Sequence, residues 1–246
     1  MRLPKHKGLF ITGTDTGVGK TLIAGGIAHV LAQQGLRVGV FKPIATGCRM
    51  EKGRLVSDDA RFLVKCSGCS CGLAVVNPIT YETPAAPIVA AEIENRVIDY
   101  GRIEDAYRFI CEHHDIVIVE GIGGIRVPVS KRVDVLELAD QFAMPVVVVA
   151  RPSLGTINHT LLTADAIRIN DLPFAGVVIS GHNTGTTDPA EQTAARIIAE
   201  FDDIKILSIV PFDPASSVEQ GTLGQSIIDA LAQCDWKELS GGMAQK

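Results

Sequence analysis

The residues with the clearest chemical potential form a short glycine-rich run near the start of the chain. The run consists of Gly13, Thr14, Asp15, Thr16, Gly17, Val18, Gly19, Lys20 and Thr21. An apolar stretch, residues 9–12, precedes it, and a helical pattern that extends to Gln34 follows it. A strand, a glycine-rich turn and a helix that opens on Gly-Lys-Thr are together typical of a phosphate-binding loop.

Each residue type in this loop suits a polyphosphate. Glycine lets the backbone come close to a ligand, and successive N–H groups at a helix N-terminus attract anions. Lys20 would reach the β- and γ-phosphates, and the Thr21 hydroxyl would bind Mg²⁺. The plain motif has four residues between its glycines, whereas five separate Gly13 from Gly19 here. The run therefore predicts a variant nucleotide-binding loop.

Short apolar runs alternate with helical patterns along the rest of the chain. The predicted strands are residues 9–12, 37–41, 115–119, 146–150, 176–180 and 205–210. The predicted helices are residues 20–34, 59–65, 104–113, 135–142, 158–170, 189–201 and 223–233. Val and Ile runs without alternation suit strands buried on both faces, and strand–helix alternation implies right-handed crossovers. We predict one doubly wound domain over residues 1–246, with three layers (α/β/α) and a mostly parallel sheet.

Local signals set some of the expected boundaries. Gly35 is expected to stop the first long helix, and Asp188 and Pro189 are expected to be the N-cap and first residue of another. Residues 66–100 contain three prolines and predict an irregular functional loop region. The tail, residues 238–246, is expected to be frayed.

Composition excludes several classes of protein. The chain has 246 residues, 46% of them hydrophobic, and a net charge of −5. This mild acidity argues against a nucleic-acid partner, and no apolar run is long enough to span a membrane. The basic start, residues 1–7, has no following apolar region of the kind that a secretory signal needs. We therefore expect a cytoplasmic protein.

Three of the six cysteines lie close together, at Cys66, Cys69 and Cys71. A Cys-x-x-Cys pair can be half of a zinc site, but no second pair at metal-binding spacing is evident. His113 and His114 are adjacent and lack helical i, i+4 spacing. Reduced thiols are the favoured interpretation, with a metal site and a redox pair as the alternatives.

Residues that follow the strands are expected to surround the ligand, since ligands bind at the carboxyl ends of parallel strands. Glu120 ends one strand, where it could bind Mg²⁺ opposite Thr21 or simply cap a helix or pair with a lysine. Lys42 ends another, where it could neutralise phosphoryl oxygens or be a solvated surface lysine. Asp58 and Asp59 could join the metal site or serve as charges at a helix N-terminus.

Six segments taken in order closely resemble the dethiobiotin synthetase family. They are residues 13–21, 42–47, 59–60, 84–87, 119–124 and 155–160. The resemblance implies a P-loop NTPase fold, a homodimer, and an ATP- and Mg²⁺-dependent ligase of biotin biosynthesis. Such enzymes convert 7,8-diaminopelargonic acid and CO₂ to dethiobiotin through a carbamate and a carbamic–phosphoric anhydride, giving ADP and phosphate.

The resemblance also implies roles for single residues. Lys20, Lys42 and Thr16 would be catalytic, and Thr21, Asp59 and Glu120 would hold the metal. The substrate would contact Thr16, Lys42, Thr46, Gly123 and Asn158, the last across the dimer interface. From the residues alone, Asn158 could equally be a helix N-cap. The nucleotide would contact residues 13–21 together with Ser180, Asn183, Pro211 and Phe212.

The chain departs from the family pattern at the base-binding strand. In the family an Asn ends the strand equivalent to residues 176–180 and recognises adenine, whereas Ser180 stands there in this chain. Either Asn183 replaces that Asn from a shifted loop, or base selection is relaxed. Between the two candidate metal ligands on the second helix, Asp59 followed by Ala60 fits the family pattern better than Asp58.

Two other classes share a phosphate-binding loop. A dimeric switch ATPase of the MinD/ParA type would carry an additional Lys early in the loop, where this chain has Thr14 and Asp15. A cobyrinate-type amidating ligase usually carries a glutaminase domain, for which nothing after Lys205 leaves room. A kinase or GTPase remains possible, although no convincing Asn-Lys-x-Asp motif for guanine is present.

Overall fold

The computed structural model describes residues 1–241, which form twelve strands and ten helices. The strands are β1 (Gly8–Gly13), β2 (Val38–Phe41), β3 (Ile44–Ala45), β4 (Arg49–Glu51), β5 (Arg54–Val56), β6 (Ile79–Thr80), β7 (Ile116–Gly124), β8 (Pro128–Ser130), β9 (Val133–Asp134), β10 (Val146–Ala150), β11 (Phe174–His182) and β12 (Ile206–Pro211). The helices are α1 (Lys20–Gln33), α2 (Asp58–Ser67), α3 (Leu73–Val76), α4 (Pro87–Ile93), α5 (Tyr100–His113), α6 (Val135–Phe142), α7 (Thr156–Ile169), α8 (Pro189–Asp202), α9 (Gln225–Leu231) and α10 (Trp236–Ser240).

Six of the strands form one parallel sheet in the order β12-β11-β10-β1-β7-β2. These are the six strands that the sequence predicts, although β7 and β11 each extend beyond the predicted ends. The small pairs β3–β6, β4–β5 and β8–β9 lie outside this sheet. Because β1 lies between β10 and β7, the loop that follows β1 is placed at the middle of the sheet's carboxyl edge.

Hydrophobic clusters cover both faces of the sheet. Leu9 and Ile11 of β1 pack in one cluster with Ile23 of α1, whereas Phe10 packs in the other. Phe10 lies 5.7 Å from the ring of Phe142 on α6, and the two rings belong to a larger aromatic group. Successive strand residues point to opposite faces. The continuous apolar strands are therefore buried on both sides, which confirms the predicted three-layer α/β/α architecture.

Most predicted helix boundaries agree with the observed ones to within two residues. Gly35 follows α1 in the left-handed region at φ +83°, and Asp188 caps α8 with Pro189 as its first residue. Helix α5 begins four residues earlier than predicted, since the Asp99 side chain accepts a hydrogen bond from the Arg102 N–H. The region predicted to be an irregular loop, residues 66–100, contains α3, β6 and α4.

The prediction of a frayed tail is wrong for residues 238–240. Helix α10 extends to Ser240, and Trp236 at its start is buried with Nε1 donating a 2.6 Å hydrogen bond to the Leu231 carbonyl. This packing continues the cluster on the α1 face of the sheet. Residues 242–246, the rest of the predicted tail, lie outside the described residues.

Gly8 offers a direct test of how closely β1 and β7 pack. A Cβ atom there would overlap the carbonyl oxygen of its partner Val117 and lie 2.6 Å from the Met144 side chain. We expect Gly8→Ala to lower the free energy of unfolding by about 1–3 kcal/mol, because an overlap with backbone needs a strand to shift. Equilibrium urea unfolding measures the change.

Gly72→Ala is the matched control for Gly8→Ala. Gly72 has φ −63°, and an added Cβ would meet open space. Its unfolding free energy should stay close to that of the native chain. Equal effects of the two substitutions would contradict the close approach of β1 to β7.

Candidate active site

The glycine-rich loop connects β1 to α1 and is shaped by left-handed glycines. Gly17 has φ +76° and Gly19 has φ +94°, a region that other residues rarely adopt. A Cβ on Gly19 would also lie only 2.5 Å from the Ser180 hydroxyl. Among residues 1–241, no side chain caps the N-terminus of α1. Its first N–H groups and its positive dipole end are thus left for an anion.

Lys20 folds back over this loop. Its Nζ donates a 2.7 Å hydrogen bond to the Asp15 carbonyl. The Asp15 carboxylate in turn accepts from the Thr16 N–H at 2.7 Å and from Arg151 at 3.0 Å. Burial lowers the pKa of Lys20 to about 8, with nearby charges acting in both directions. A bound phosphate would favour the charged form of this lysine.

A buried ion pair lies at the start of α1. Lys42, directly after β2, donates from Nζ to Glu120 Oε1 of β7 at 2.7 Å and lies 3.0 Å from Asp59 Oδ2 in the first turn of α2. The Gly121 carbonyl accepts a third hydrogen bond at 2.9 Å. Thr21 donates from its hydroxyl to the same Glu120 oxygen at 2.8 Å. Four separate elements therefore meet at one point.

Burial and charge compete at this cluster. Burial would favour neutral Lys42, but Glu120 and Asp59 outweigh it and raise the pKa of Lys42 above its usual value. Burial also opposes the charge of Asp59, yet Lys42 lowers the pKa of that carboxyl. Full burial raises the pKa of Glu120, because Lys42 offsets only part of the cost and Asp59 adds a second negative charge. Of the three groups, Glu120 is therefore the one whose charged form is disfavoured by its surroundings.

The donor atoms fit a hard divalent cation. Glu120 Oε2 is buried and accepts no hydrogen bond from the described residues. The carboxylate of Asp59 and the hydroxyl of Thr21 lie beside it. Mg²⁺ takes oxygen ligands and is usually held by one or two carboxylates together with phosphate oxygens. The three residues that the family resemblance assigns to the metal are thus brought together.

The structure separates the two candidate aspartates. Asp59 lines the cavity at the phosphate-binding loop and contacts Lys42. Asp58 instead pairs with Arg49 at 2.6 Å and lies 3.7 Å from Arg61, in a surface network. The geometry favours Asp59 as the residue that faces a bound cation.

A cavity of about 600 Å³ opens beside this cluster. The predicted residues that line it are Thr16, Gly17, Gly19, Lys20, Thr21, Lys42, Thr46, Asp59, Glu120 and Gly123. One wall is built by Pro84, Ala85, Ala86 and Pro87, for which no role was predicted. Residues 84–87 are one of the six segments that resemble the family, and that resemblance was the available signal. Val218 also lines the cavity, and no sequence pattern indicates it.

The other residues of the predicted nucleotide site lie around the loop. Thr14 donates from its N–H to the Val149 carbonyl at 3.0 Å, which ties the loop to β10. A Cβ on Gly13 would lie 2.7 Å from Val18, so these two residues pack against each other inside the loop.

The predicted base-binding residues follow β11 and β12. Ser180 lies next to Gly19, and the register places it opposite Val210, one residue before Pro211. Phe212 is 70% exposed, which leaves its ring free at the sheet edge. The Asn183 side-chain oxygen accepts from the Gly185 N–H at 3.1 Å. None of these four residues lines the cavity described above.

Asn158 lies away from the cavity, exposed in the first turn of α7. The alternative that it is an N-cap is wrong, because Gly155 occupies that position at φ +90°. Its predicted substrate contact involves a second chain and stays a prediction.

Within the described residues, no helix has the length and apolar character needed to cross a membrane.

Solved structures of similar fold are found among positioning and partition ATPases. The MinD cell division protein of Aquifex aeolicus matches with a TM-score of 0.57 at 15% identity, over 97% of this chain and 99% of that one. Apo McdA from Cyanthece matches with a TM-score of 0.58 at 15% identity, over 95% and 99%. These likenesses establish the fold alone, that of the P-loop ATPases.

Comparison of sequences finds relatives with higher identity than these structures have. A family model described as an AAA domain matches residues 7–220. The ATP-dependent dethiobiotin synthetase BioD of Thermodesulfovibrio yellowstonii is 36% identical over 228 residues, covering 90% of this chain and 94% of the relative. The protein of the same name from Anaeromyxobacter dehalogenans is 37% identical over 92% of this chain and 99% of the relative. The chain therefore belongs to the ATP-dependent dethiobiotin synthetase family.

Proposed function

We propose that this chain is an ATP- and Mg²⁺-dependent ligase that closes the ureido ring of dethiobiotin. Its substrates would be 7,8-diaminopelargonic acid and CO₂, and its other products ADP and phosphate. The observation that supports this most is the buried cluster of Lys42, Glu120, Asp59 and Thr21, which borders the phosphate-binding loop and opens onto a cavity of about 600 Å³.

The proposed reaction has three steps. One substrate amine attacks CO₂ and loses a proton to give a carbamate. A carbamate oxygen then attacks the γ-phosphorus of ATP, ADP leaves, and a carbamic–phosphoric anhydride forms. The second amine attacks the anhydride carbonyl, and phosphate leaves as the ring closes. Phosphoryl transfer depends mainly on positioning and on neutralisation of charge.

The chain's own residues supply both requirements. Lys20 and Lys42 both line the cavity, and their charges would stabilise the transferring phosphoryl oxygens. Thr16, Thr46 and Gly123 line the same cavity and would orient the carbamate. Mg²⁺ held by Thr21, Asp59 and Glu120 would supply further positive charge to the phosphate oxygens. The wall from Pro84 to Pro87 would exclude water from the anhydride.

The nucleotide base would lie beyond the phosphate loop, between Ser180 and the strand-end segment of Pro211 and Phe212. The exposed ring of Phe212 would pack against the base, and the side-chain N–H₂ of Asn183 would donate to it. A homodimer that brings Asn158 to the substrate, and a cytoplasmic location, remain predictions of the family resemblance.

Coupled turnover tests the proposed reaction. The purified protein is incubated with ATP, Mg²⁺ and bicarbonate, with and without 7,8-diaminopelargonic acid. We expect phosphate release to require the diamine and dethiobiotin to appear in equal amount by mass spectrometry. Diamine-independent hydrolysis without dethiobiotin would contradict the proposed function and favour the switch-ATPase class.

A variant pair in the same assay distinguishes this activity from a contaminating ATPase. Lys42→Met should lower kcat by about a hundredfold to a thousandfold, the range seen when one charge-stabilising donor is removed from an active site. Lys131, exposed between β8 and β9, is the control lysine. Lys131→Met should leave kcat unchanged.

The two adjacent aspartates provide a matched test of the metal site. We expect Asp59→Asn to raise the Mg²⁺ concentration needed for half-maximal turnover by at least about tenfold, since loss of a ligand should cost no less than loss of an outer hydrogen bond. Asp58→Asn should leave this concentration unchanged, because Asp58 pairs with Arg49 and Arg61. The reverse result would assign the metal to Asp58.

The lowered pKa of Lys20 predicts that nucleotide binding depends on pH. Its pKa is lowered to about 8 in the free protein, so the lysine is charged below that pH and neutral above it. The Kd for ATP without Mg²⁺ should therefore stay constant below pH 8 and rise by up to about tenfold per pH unit above it. Calorimetric titrations at a series of pH values measure this.

Lys20→Met provides the comparison for the pH profile. The variant should bind ATP more weakly at every pH and show no rise near pH 8, because it has no ammonium group to lose. A rise of the same size in both proteins would mean that another group controls the profile.

A further inference from the structure

A cluster of metal-ligating side chains lies outside the proposed active site. Cys69 and Cys71 follow α2, and His114 directly follows α5, two residues before β7 begins. Cys69 Sγ lies 3.4 Å from His114 Nε2, and the ligand atoms of all three residues lie within 4.8 Å of one another. This partner of the cysteines is not evident from the sequence, because His114 lies 43 positions beyond Cys71 in the chain.

The imidazole of His114 is held in the form that a metal requires. Its Nδ1 lies 2.8 Å from the Ile110 carbonyl oxygen, which can only accept a hydrogen bond. The proton is therefore on Nδ1, and the lone pair of Nε2 points toward Cys69. Histidine ligands of metals usually have this second hydrogen bond, which fixes the tautomer and the ring orientation.

The backbone around the cluster favours close approach of the three side chains. The Cys71 N–H donates to Cys69 Sγ at 3.4 Å, which holds the two cysteines in one tight turn. A Cβ on Gly39 of β2 would lie 3.1 Å from two ring atoms of His114, so glycine leaves the room that the imidazole occupies. Cys66 is not part of the group. Its sulfur instead packs beside Gly25 of α1, where an added Cβ would lie 3.2 Å from it.

The separation of Cys69 and His114 matches that of two ligands of a tetrahedral zinc ion. Zn–S and Zn–N bonds of about 2.3 and 2.0 Å at a tetrahedral angle separate sulfur from nitrogen by roughly 3.5 Å. The Cys69–His114 separation of 3.4 Å agrees with this value. Two thiolates and one imidazole are ligands that favour Zn²⁺ over the hard cations.

We propose that Cys69, Cys71 and His114 bind one Zn²⁺ ion per chain, with a water molecule as the fourth ligand. The site would be structural in effect. It lies near the amino ends of β2 and β7, whereas the active-site cavity lies at their carboxyl ends. Helix α2 places Asp59 in its first turn and leads to Cys69 two residues after its last, while His114 precedes the strand that carries Glu120.

Such an ion would connect α2 to the start of β7, and so support the two carboxylates at the far end of both elements. This connection is independent of which reaction the active site performs. Without the ion, the same atoms form an S–H···N hydrogen bond between Cys69 and His114. Metal uptake therefore distinguishes a zinc site from a thiol–imidazole pair.

The test uses the full chain, freed of metal and kept reduced with a phosphine. Titration with Co²⁺ as a spectroscopic probe should give thiolate-to-cobalt charge-transfer absorption and the intense visible bands of a tetrahedral ion, saturating at one ion per chain. Zn²⁺ should displace the Co²⁺ and raise the Tm. Cys71→Ala and His114→Gln should each weaken binding by at least about tenfold, since either removes a ligand.

Cys234→Ala is the matched control, because Cys234 is a half-buried free thiol like Cys71 and lies outside the group. It should keep the native affinity and the Zn²⁺-dependent rise in Tm. The proposal is overturned if the native chain shows no thiolate-to-cobalt band, or if Cys71→Ala and His114→Gln bind metal as tightly as the native chain. It is also overturned if zinc raises the Tm of all variants equally. Circular dichroism of each variant confirms that it is folded before titration.

Discussion

The buried charge of Lys42 is the constraint on which the site depends. Moving an isolated ammonium group out of water costs several kcal/mol even after the protein relaxes, and only well-placed partners offset this cost. Lys42 has three: Glu120, Asp59 and the Gly121 carbonyl. Because these come from β7 and α2, the end of β2 cannot be formed correctly unless both elements are in place. The contacts that offset the cost of burying the charged lysine also place it beside the phosphate-binding loop.

The order of the strands explains how this is achieved. From β1 the chain passes over the position of β7 to form β2, then returns to insert β7, and only afterwards builds β10, β11 and β12 on the other side. The direction of winding thus reverses at β1, and a crevice at the carboxyl ends of the strands is expected at such a point. The phosphate-binding loop follows β1 at this position, Lys42 and Glu120 lie on one side of it, and Ser180 lies on the other.

The sequence predicted what local patterns determine. Short apolar runs that alternate with helical patterns marked the six sheet strands, and Gly17 and Gly19 marked a loop that needs left-handed backbone. The sequence could not decide between Asp58 and Asp59, because successive helix residues point about 100° apart and only the packing of α2 against β2 selects one. Likewise, α10 could not be predicted from the polar residues at the end of the chain, because its stability comes from burying Trp236 against residues distant in the sequence.

Lys42 and a divalent cation would share the carboxylates of Glu120 and Asp59, so binding of the cation would change how strongly both carboxylates hold the lysine. In the free protein the two carboxylates neutralise Lys42, and one buried oxygen of Glu120 accepts no hydrogen bond from residues 1–241. A second positive charge at that oxygen would lower the pKa of Glu120 and weaken the hold of both carboxylates on Lys42. The ammonium group would then be available to phosphoryl oxygens in the cavity. In the proposed function, the ion pair would thus keep Lys42 charged inside the protein until the anionic substrate and the cation bind.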